Sequence, residues 1–226
     1  TLRGAGKNKT IIEQTANHPI FITVNGSSTI GNYDETIALS ASNQATNIEV
    51  SGMTLQYQDT ASKIYNTVFN LQSCRDSYFV DVQIAGSWVN TDPIDADSST
   101  STSIGLGINS KNGGVETVRN EFTNCHVDGF MYGIVSNWDT NDNVWTTSNF
   151  SNLGYGFTFG KDMLIDGNQA NGTSVGPTNN IISDCVFTNV YREAILVDEG
   201  TYFYIIKAKF ASGEEVTKHG FVQVIY

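Results

Sequence analysis

Apolar and polar residues alternate along much of this chain, in short runs. The segments Val80 to Ile84 and Val222 to Tyr226 place apolar side chains at every second position, which is the period of a half-buried β-strand. Apolar residues nowhere recur at three- and four-residue spacing over a dozen positions, as an amphipathic helix requires. Gly and Asn interrupt the runs at short range, as they do between strands. The pattern predicts an all-β chain.

One phrase recurs three times. It consists of an aromatic residue, Ser or Thr, and Asn, followed after a short link by a small residue and a pair of apolar residues. The copies are Phe122-Thr123-Asn124 before Gly133-Ile134-Val135, Phe150-Ser151-Asn152 before Gly156-Phe157-Thr158-Phe159, and Phe187-Thr188-Asn189 before Ala194-Ile195-Leu196-Val197. A unit that recurs every few tens of residues is typical of stacked repeat folds.

The repeat favours a right-handed, single-stranded parallel β-helix, a solenoid, over a sandwich or barrel. Equivalent side chains of successive coils would then stack about 4.8 Å apart, which rewards the same residue type at the same place in each coil. We expect the three phrase asparagines to form an amide ladder at a turn, and Phe122, Phe150 and Phe187 to stack inside. About seven coils would make a rod about 34 Å long.

Three stretches depart from the repeat: Gly86 to Ser103, Asn137 to Asn149, and Gly160 to Pro177. The first and the last are interpreted as inserted loops. Since loops carry recognition residues more often than the elements they connect, we expect specificity to reside in these three stretches.

The opening residues Thr1 to Ile12, with their run Gly4-Ala5-Gly6, resemble the first coils of pectate-lyase-like β-helices, in which a strand, a Gly-rich turn and a second strand follow one another. The internal phrases are similar to the parallel β-helix repeat of polysaccharide lyases, glycosidases, mannuronate epimerases and, above all, bacteriophage tailspikes and tail fibres. The resemblance implies a rod that associates as a homotrimer with other virion tail proteins, in an extracellular location. Fold alone does not fix the function.

Residues 1–226 are predicted to form a single β-helix domain. The chain starts directly in a strand-like phrase at Thr1 and stops in another at Tyr226. Because a solenoid needs capped ends, we expect this domain to be a fragment of a longer chain.

The charge narrows the range of partners. Twelve basic and 23 acidic residues give a formal net charge of −11, which disfavours nucleic acid and anionic lipid surfaces. No run of apolar residues is long enough for a transmembrane helix. Neutral polysaccharide, protein or cation partners remain. Among these, the resemblance to tailspikes implies a cell-surface polysaccharide.

Two functions follow as hypotheses. The favoured one is a structural, glycan-binding segment of a tailspike or tail fibre. The alternative is a β-helix polysaccharide depolymerase, a glycoside hydrolase whose two carboxylates flank the scissile bond. Its candidate acids are Asp95, Asp139 and Glu193.

A uronate lyase or epimerase is disfavoured. The Trp-Ile-Asp-His phrase of pectate lyases is absent, and Asp92-Pro93 is followed by Ile94 rather than by the His of mannuronate epimerases. No cofactor or resident metal is predicted. The loop segments Asp95 to Ser99 and Asp139 to Asn143 leave calcium as a weaker possibility, since they lack the Gly and Glu of an EF-hand loop.

Aromatic residues near the predicted loops are candidates for stacking on sugar rings, with neighbouring acids bonding the hydroxyls. The alternative is that these rings pack over the solenoid core. The candidate ligand-binding residues are Trp88, Asp92, Trp138, Trp145 and Tyr155.

The cysteines and histidines suggest no site. Cys74, Cys125 and Cys185 lie beside apolar strand positions without the close spacing of a metal or redox motif, so we interpret them as buried thiols. His126 is interpreted as a hydrogen-bonded structural imidazole, and no Ser-His-Asp arrangement is evident in the sequence.

Overall fold

A computed structural model describes residues 1–14, 20–23, 45–57, 67–89, 103–109, 116–137, 140–159, 177–197, 200–209 and 215–224. Within these ranges the chain forms eighteen strands and no helix, as the alternating pattern predicts. The strands are β1 Leu2–Arg3, β2 Ile11–Glu13, β3 Phe21–Ile22, β4 Ala45–Thr46, β5 Glu49–Gln56, β6 Thr67–Gln72, β7 Cys74–Arg75, β8 Tyr78–Ala85, β9 Ile104–Asn109, β10 Glu121–Thr123, β11 His126–Ser136, β12 Val144–Thr146, β13 Asn149–Phe159, β14 Ile181–Ser183, β15 Val186–Val190, β16 Ile195–Val197, β17 Gly200–Lys209 and β18 Glu215–Val224.

Parallel pairing between strands far apart in sequence dominates this architecture. Fourteen of the described strands belong to one sheet, and its pairings are parallel throughout. The exception is the hairpin of β17 and β18, which is antiparallel. In the register of the large sheet, apolar side chains fall opposite one another from strand to strand. One such row contains Leu55, Ile84, Val127, Phe150 and Phe187.

The longer strands each pair with two different strands in succession. Residues Tyr78–Val80 of β8 pair with β10, whereas its residues Gln83–Ala85 pair with β11. Strand β11 in turn pairs with β8 through its first residues and with β9 through Tyr132–Ser136. Each long strand therefore changes neighbour partway along its length.

The change of neighbour coincides with residues in the left-handed backbone conformation. Gly52, Asp81, Asn124, Thr147 and Asp184 all have φ between 50° and 63°. Each directly follows a strand residue at the same register position. Four of these five residues are Asn, Asp or Gly, which tolerate this conformation better than other residues; Thr147 is the exception.

The predicted asparagine ladder is correct for two of the three phrase asparagines. Asn189 donates from Nδ2 to Oδ1 of Asn152 at 3.1 Å. Asn124 lies in a different row, and its Nδ2 donates to Oδ1 of Asp81 at 3.2 Å. All three residues have φ of 53°, which is why the same residue type occurs in both rows.

The predicted single stack of phrase phenylalanines is likewise two stacks. Phe150 stacks on Phe187 with ring centroids 5.1 Å apart. Phe122 instead stacks between Phe79 at 4.8 Å and Trp145 at 5.2 Å. The repeating unit thus has two inward aromatic positions, and the first copy of the phrase lies at one while the other two lie at the second.

The segment Asn137 to Asn149, which the sequence predicts to depart from the repeat, contributes a strand to it. It contains β12, which pairs with β10 on one side and β14 on the other. The small residues of the repeat are in register, as expected: Gly133, Gly156 and Ala194 each precede a residue of the row Ile134, Phe157, Ile195. A Cβ on Gly156 would lie 2.3 Å from the Ala194 carbonyl oxygen, so a side chain does not fit there.

A buried asparagine row crosses three strands at a place the repeated phrase does not mark. Asn120, Asn143 and Asn180 directly precede β10, β12 and β14, whose residues are in register. Oδ1 of Asn143 accepts hydrogen bonds from the backbone N and from Nδ2 of Asn120, at 3.1 and 3.0 Å. Oδ1 of Asn180 accepts the equivalent pair from Asn143, at 3.0 and 3.2 Å. Asn120 and Asn143 are fully buried, so these bonds replace water completely.

We predict that Asn143→Ala lowers the free energy of unfolding by about 3 kcal/mol, because it removes the acceptor of the buried Asn120 backbone N–H and one of the two acceptors of Asn120 Nδ2, which still bonds the Cys74 carbonyl. Urea denaturation measures the effect. Asn149→Ala is the matched control, since the Asn149 side chain is exposed and its loss is expected to change stability by less than about 0.5 kcal/mol. Equal effects of the two substitutions would contradict a stabilising role for the row.

Candidate functional site

The sequence-predicted site residues fall into two groups. Asp92, Asp95, Trp138 and Asp139 lie outside the described residues, so their roles stay predictions, as does any calcium site built from their loops. Trp88, Trp145, Tyr155 and Glu193 are described. No group of three or more His, Cys, Asp or Glu side chains suited to a metal occurs within the described ranges.

Trp145 does not fit its predicted contact with a glycan, because it belongs to the core. Its side chain is 1% exposed. The indole lies parallel to Phe122, with an interplanar angle of 5°, and meets the ring of Phe157 edge-on at 5.2 Å. The physical reason is its strand: Trp145 is the central residue of β12 and points into the row of Phe79 and Phe122.

Two of the predicted residues, Trp88 and Tyr155, lie on a surface that we call the aromatic–arginine patch. The patch consists of Trp88, Tyr132, Tyr155, Tyr191 and Arg192. Trp88 and Tyr191 meet edge to face with ring centroids 5.8 Å apart. Tyr132 and Tyr155 stack at 4.9 Å with an interplanar angle of 4°. Arg192 lies over Tyr155, and because it directly follows Tyr191 it connects the two ring pairs.

Backbone hydrogen bonds beyond strand ends position the patch. Trp88, three residues after the end of β8, donates its N–H to the Gly129 carbonyl at 2.9 Å. Tyr191 and Arg192, just past β15, donate to the carbonyls of Leu153 and Gly154 at 2.9 and 3.0 Å. The chain therefore continues in strand-like register here, and the side chains are held by ordered backbone.

Tyr155 is covered on one face of its ring and hydrogen-bonded at its hydroxyl. Strand β13, which carries Tyr155, lies between β11 with Tyr132 and β15, which leads to Arg192. Tyr132 covers one face, while the guanidinium of Arg192 lies at the hydroxyl end of the ring, with its Nη1 2.6 Å from the hydroxyl oxygen and its carbon 5.4 Å from the ring centroid. The predicted stacking of Tyr155 on a sugar is therefore restricted to the face away from Tyr132.

Tyr191 is the most exposed aromatic side chain of the patch, at 54%. Trp88, like Tyr132 and Tyr155, is partly exposed. In an edge-to-face pair, the outer face of the ring that receives the edge is not covered by its partner. Such rings can cover the apolar face of a ligand while the neighbouring polar groups bond its hydroxyls.

Sequence reasoning missed Tyr132, Tyr191 and Arg192. A signal for Tyr132 is present, since Tyr132-Gly133 and Tyr155-Gly156 repeat the same dipeptide at one register position. Tyr191 and Arg192 follow β15 without a repeated phrase, so only the strand pairing brings them to the patch.

Glu193, a predicted catalytic acid, is exposed at the edge of the patch. Its backbone carbonyl accepts a hydrogen bond from Gly156 N at 3.0 Å, which fixes the main chain. Its predicted partners Asp95 and Asp139 lie outside the described residues, so a carboxylate pair stays a prediction.

A polar network on the neighbouring strands links His126, Asp128, Ser151 and Asn152. Ser151 Oγ donates to Oδ1 of Asp128 at 2.6 Å, and the same oxygen accepts from Asn152 Nδ2 at 2.7 Å. Nε2 of His126 lies 2.8 Å from Ser151 Oγ. Since the serine proton is directed at Asp128, His126 acts as the donor to Ser151. An imidazole that donates cannot deprotonate the hydroxyl, so this is a structural network and not a nucleophile with its base.

The cysteines are unsuited to nucleophilic chemistry. All three are free thiols. Burial raises the pKa of Cys74 and of Cys125 to about 11 and also raises the pKa of Cys185, so the reactive thiolate is disfavoured at neutral pH. The sequence-based interpretation of buried thiols is confirmed for Cys74 and Cys125, while Cys185 is half-buried.

Among the described residues, no helix could span a membrane. No protein-family model matches the sequence, and no curated protein matches it. A solved structure similar to this chain is the N-terminal fragment of gene product 12 of bacteriophage Phi29, with a TM-score of 0.47 and 12% sequence identity. The likeness covers 87% of this chain and 34% of that chain, so this chain spans about a third of its length.

We predict that Trp145→Ala lowers the free energy of unfolding by about 4 kcal/mol, because it removes a fully buried indole from the core. Trp88→Ala should change it by less than about 1 kcal/mol, since Trp88 is a surface residue. Chemical denaturation of both variants tests the assignment. A larger loss from Trp88→Ala than from Trp145→Ala would contradict it.

The unfolding free energy should also fall on mild acidification because of His126. Its half-buried position holds the pKa of His126 below the ordinary value of 6.5, with Lys7 adding to the effect and Asp128 opposing it. The unfolded chain then binds a proton at a higher pH than the folded chain does. Stability is therefore fully present above pH 6.5 and is lost as the pH falls through the lower, folded value.

His126→Gln is expected to remove this part of the pH dependence, as measured by urea denaturation between about pH 8 and about pH 5. His18→Gln and His219→Gln serve as controls and should retain it. An unchanged slope in His126→Gln would show that another group is responsible.

Proposed function

We propose that this chain is a structural, glycan-binding segment of a phage tailspike or tail fibre, built as a right-handed parallel β-helix and located in the virion tail. The observation that carries the binding proposal is the aromatic–arginine patch. There, the partly exposed Trp88 and the exposed Tyr191 lie beside the cationic Arg192 and the acidic Glu193.

Two features of the strands support the β-helical architecture. Long strands change neighbour partway along their length, as expected when a chain turns a corner from one face of a solenoid to the next. Left-handed residues occupy the same register position in successive strands at that bend. A flat parallel sheet needs neither feature.

The chemistry of the patch suits a carbohydrate. Sugar rings present apolar C–H faces and a rim of hydroxyls, which require flat aromatic surface and polar hydrogen-bonding groups together. Trp88 and Tyr191 offer the first, while the Tyr155 hydroxyl, Arg192 and Glu193 offer the second. Tyr and Trp also supply contact area at a low cost in conformational entropy.

The virion role rests on the resemblance of the repeated phrases and of Thr1 to Ile12 to tailspike β-helices. It carries two further proposals, association as a homotrimer and contact with other tail proteins. A parallel trimer would present three copies of the patch to one cell surface, so weak individual sites would combine into avid binding.

The proposal predicts that the protein binds purified cell-surface polysaccharides on a glycan array, and that Trp88→Ala or Tyr191→Ala weakens binding roughly tenfold, the equivalent of one good contact. Tyr78→Ala is the matched control, because Tyr78 is a comparably exposed tyrosine, 46% exposed, on strand β8. The control should bind as the unmodified chain does.

Product analysis on the bound glycans separates adhesion from cleavage. Bound glycans of unchanged length support the proposal of a glycan-binding protein. Newly formed reducing ends would instead support the alternative function, a hydrolase that uses Asp95, Asp139 or Glu193. If Tyr78→Ala and Trp88→Ala weaken binding equally, the patch is not the glycan-binding surface.

A further inference from the structure

We infer that Arg192 is an anion-binding residue, and that the patch takes a glycan carrying an oxyanion, a carboxylate or a phosphate group, against its guanidinium. This inference rests on the proposed function and names the chemical class of its ligand. The geometry around Tyr155 carries it.

Arg192 is held in two ways at once. Its Nη1 donates to the Tyr155 hydroxyl at 2.6 Å, and its guanidinium carbon lies 5.4 Å from the centroid of the same ring. A flexible arginine loses side-chain entropy when it binds a ligand, and a guanidinium already fixed in place loses less. Tyr155, itself stacked on Tyr132, thus acts as the support of the cation.

The guanidinium retains free hydrogen-bonding capacity. Arginine has five N–H donors, and one of them bonds Tyr155. Two of the remaining donors, lying side by side, match the two oxygens of one carboxylate or two oxygens of one phosphate. Arg192 is exposed, so a ligand can reach it.

Arg192 also lacks the internal counter-ion that other arginines have. Within the described ranges, Arg3, Arg75 and Arg119 each lie within 4.0 Å of a carboxylate oxygen, of Glu49 or Asp76. Arg192 forms no such ion pair with any described residue. The neighbouring Glu193 carboxylate acts on it through space only.

The overall charge makes this unpaired cation informative. A chain with a net charge of −11 repels anionic polymers at long range, so an acidic ligand needs a local cation. A neutral ligand needs only hydrogen bonds from this position, which a neutral amide could supply as well as the guanidinium.

The rival explanation is that Arg192 only fastens the segment after β15 to Tyr155. In that case Arg192→Gln would lower stability without any effect on anions. The two explanations differ in a direct readout, the signal of the arginine Nε–H group, since the chain contains only four arginines.

The experiment is a titration of the ¹⁵N-labelled chain with methyl glucuronide, with glucose 6-phosphate and with the neutral methyl glucoside, at roughly millimolar concentrations, where a single charge-assisted contact binds. We expect the two anions to shift the Arg192 Nε–H signal and the glucoside to leave it in place. The signals of Arg3, Arg75 and Arg119 should stay unchanged. A stronger response to one anion identifies the source of the oxyanion as uronate or phosphate.

Variants complete the test. Arg192→Lys should weaken binding of the anion roughly three- to tenfold, because it keeps the charge but loses the paired N–H donors of the guanidinium. Arg192→Gln should abolish the response of the chain to anions.

The residues around Arg192 give a second set of variants. Tyr155→Phe, which keeps the ring and removes the acceptor, should weaken binding of the anion. Glu193→Gln should strengthen it about twofold by removing a nearby negative charge. Arg3→Gln is the control for net charge and should bind normally.

The inference is overturned if the glucoside shifts Arg192 as much as the anions do, or if no anion shifts it. The proposed function fails separately. Glycan-array binding that is absent or insensitive to Trp88→Ala would remove it, even where small anions still bind Arg192.

Discussion

Backbone hydrogen bonds between parallel strands hold neighbouring strands in one fixed register, and the rest of the structure depends on that register. A shift by one residue would turn every inward side chain outward. The row of Asn120, Asn143 and Asn180 shows how strongly the register is specified. Each amide must lie beside the next for its oxygen to accept both the backbone and the side-chain donors of the preceding asparagine. A shifted strand would leave these buried donors unpaired, at a cost of several kcal/mol.

The same register creates the outer surface. Tyr132 lies opposite Tyr155 because Ile134 lies opposite Phe157 in the core row two positions later. Gly156 is small because the Ala194 backbone approaches it closely. The core and the candidate site are therefore two faces of one set of pairings, and a residue can change at the surface without disturbing the row beneath it.

The sequence was sufficient for the strand content and for part of the core, but not for the assignment of rows. Alternation and repetition predict an all-β chain and the stack of Phe150 on Phe187. They do not reveal that each unit has two inward aromatic positions, because Phe-Thr-Asn and Phe-Ser-Asn satisfy both positions equally well. Asn124 was consequently assigned to the wrong row.

Trp145 shows a related difficulty in physical terms. A tryptophan flanked by Asp, Asn and Thr has the local composition of a loop, and the polar neighbours suggest a surface. Those neighbours are themselves buried or paired across strands: Asn143 lies in the amide row, and Thr146 bonds Thr123 at 3.2 Å. Burial of polar residues by cross-strand bonding is a property of distant pairings, which a single sequence does not reveal.

The spacing of parallel strands also decides where aromatic residues can contact a ligand. Along a row, neighbouring side chains lie about 4.8 Å apart, so a ring within a row has both faces covered by its neighbours and no ligand can enter between them. Tyr155 illustrates this on the face that Tyr132 covers. Aromatic faces open to a ligand must therefore occur at the margins of the rows. Trp88 and Tyr191 lie beyond the ends of β8 and β15, and the hydroxyl of Tyr155 accepts a hydrogen bond from the guanidinium beside them.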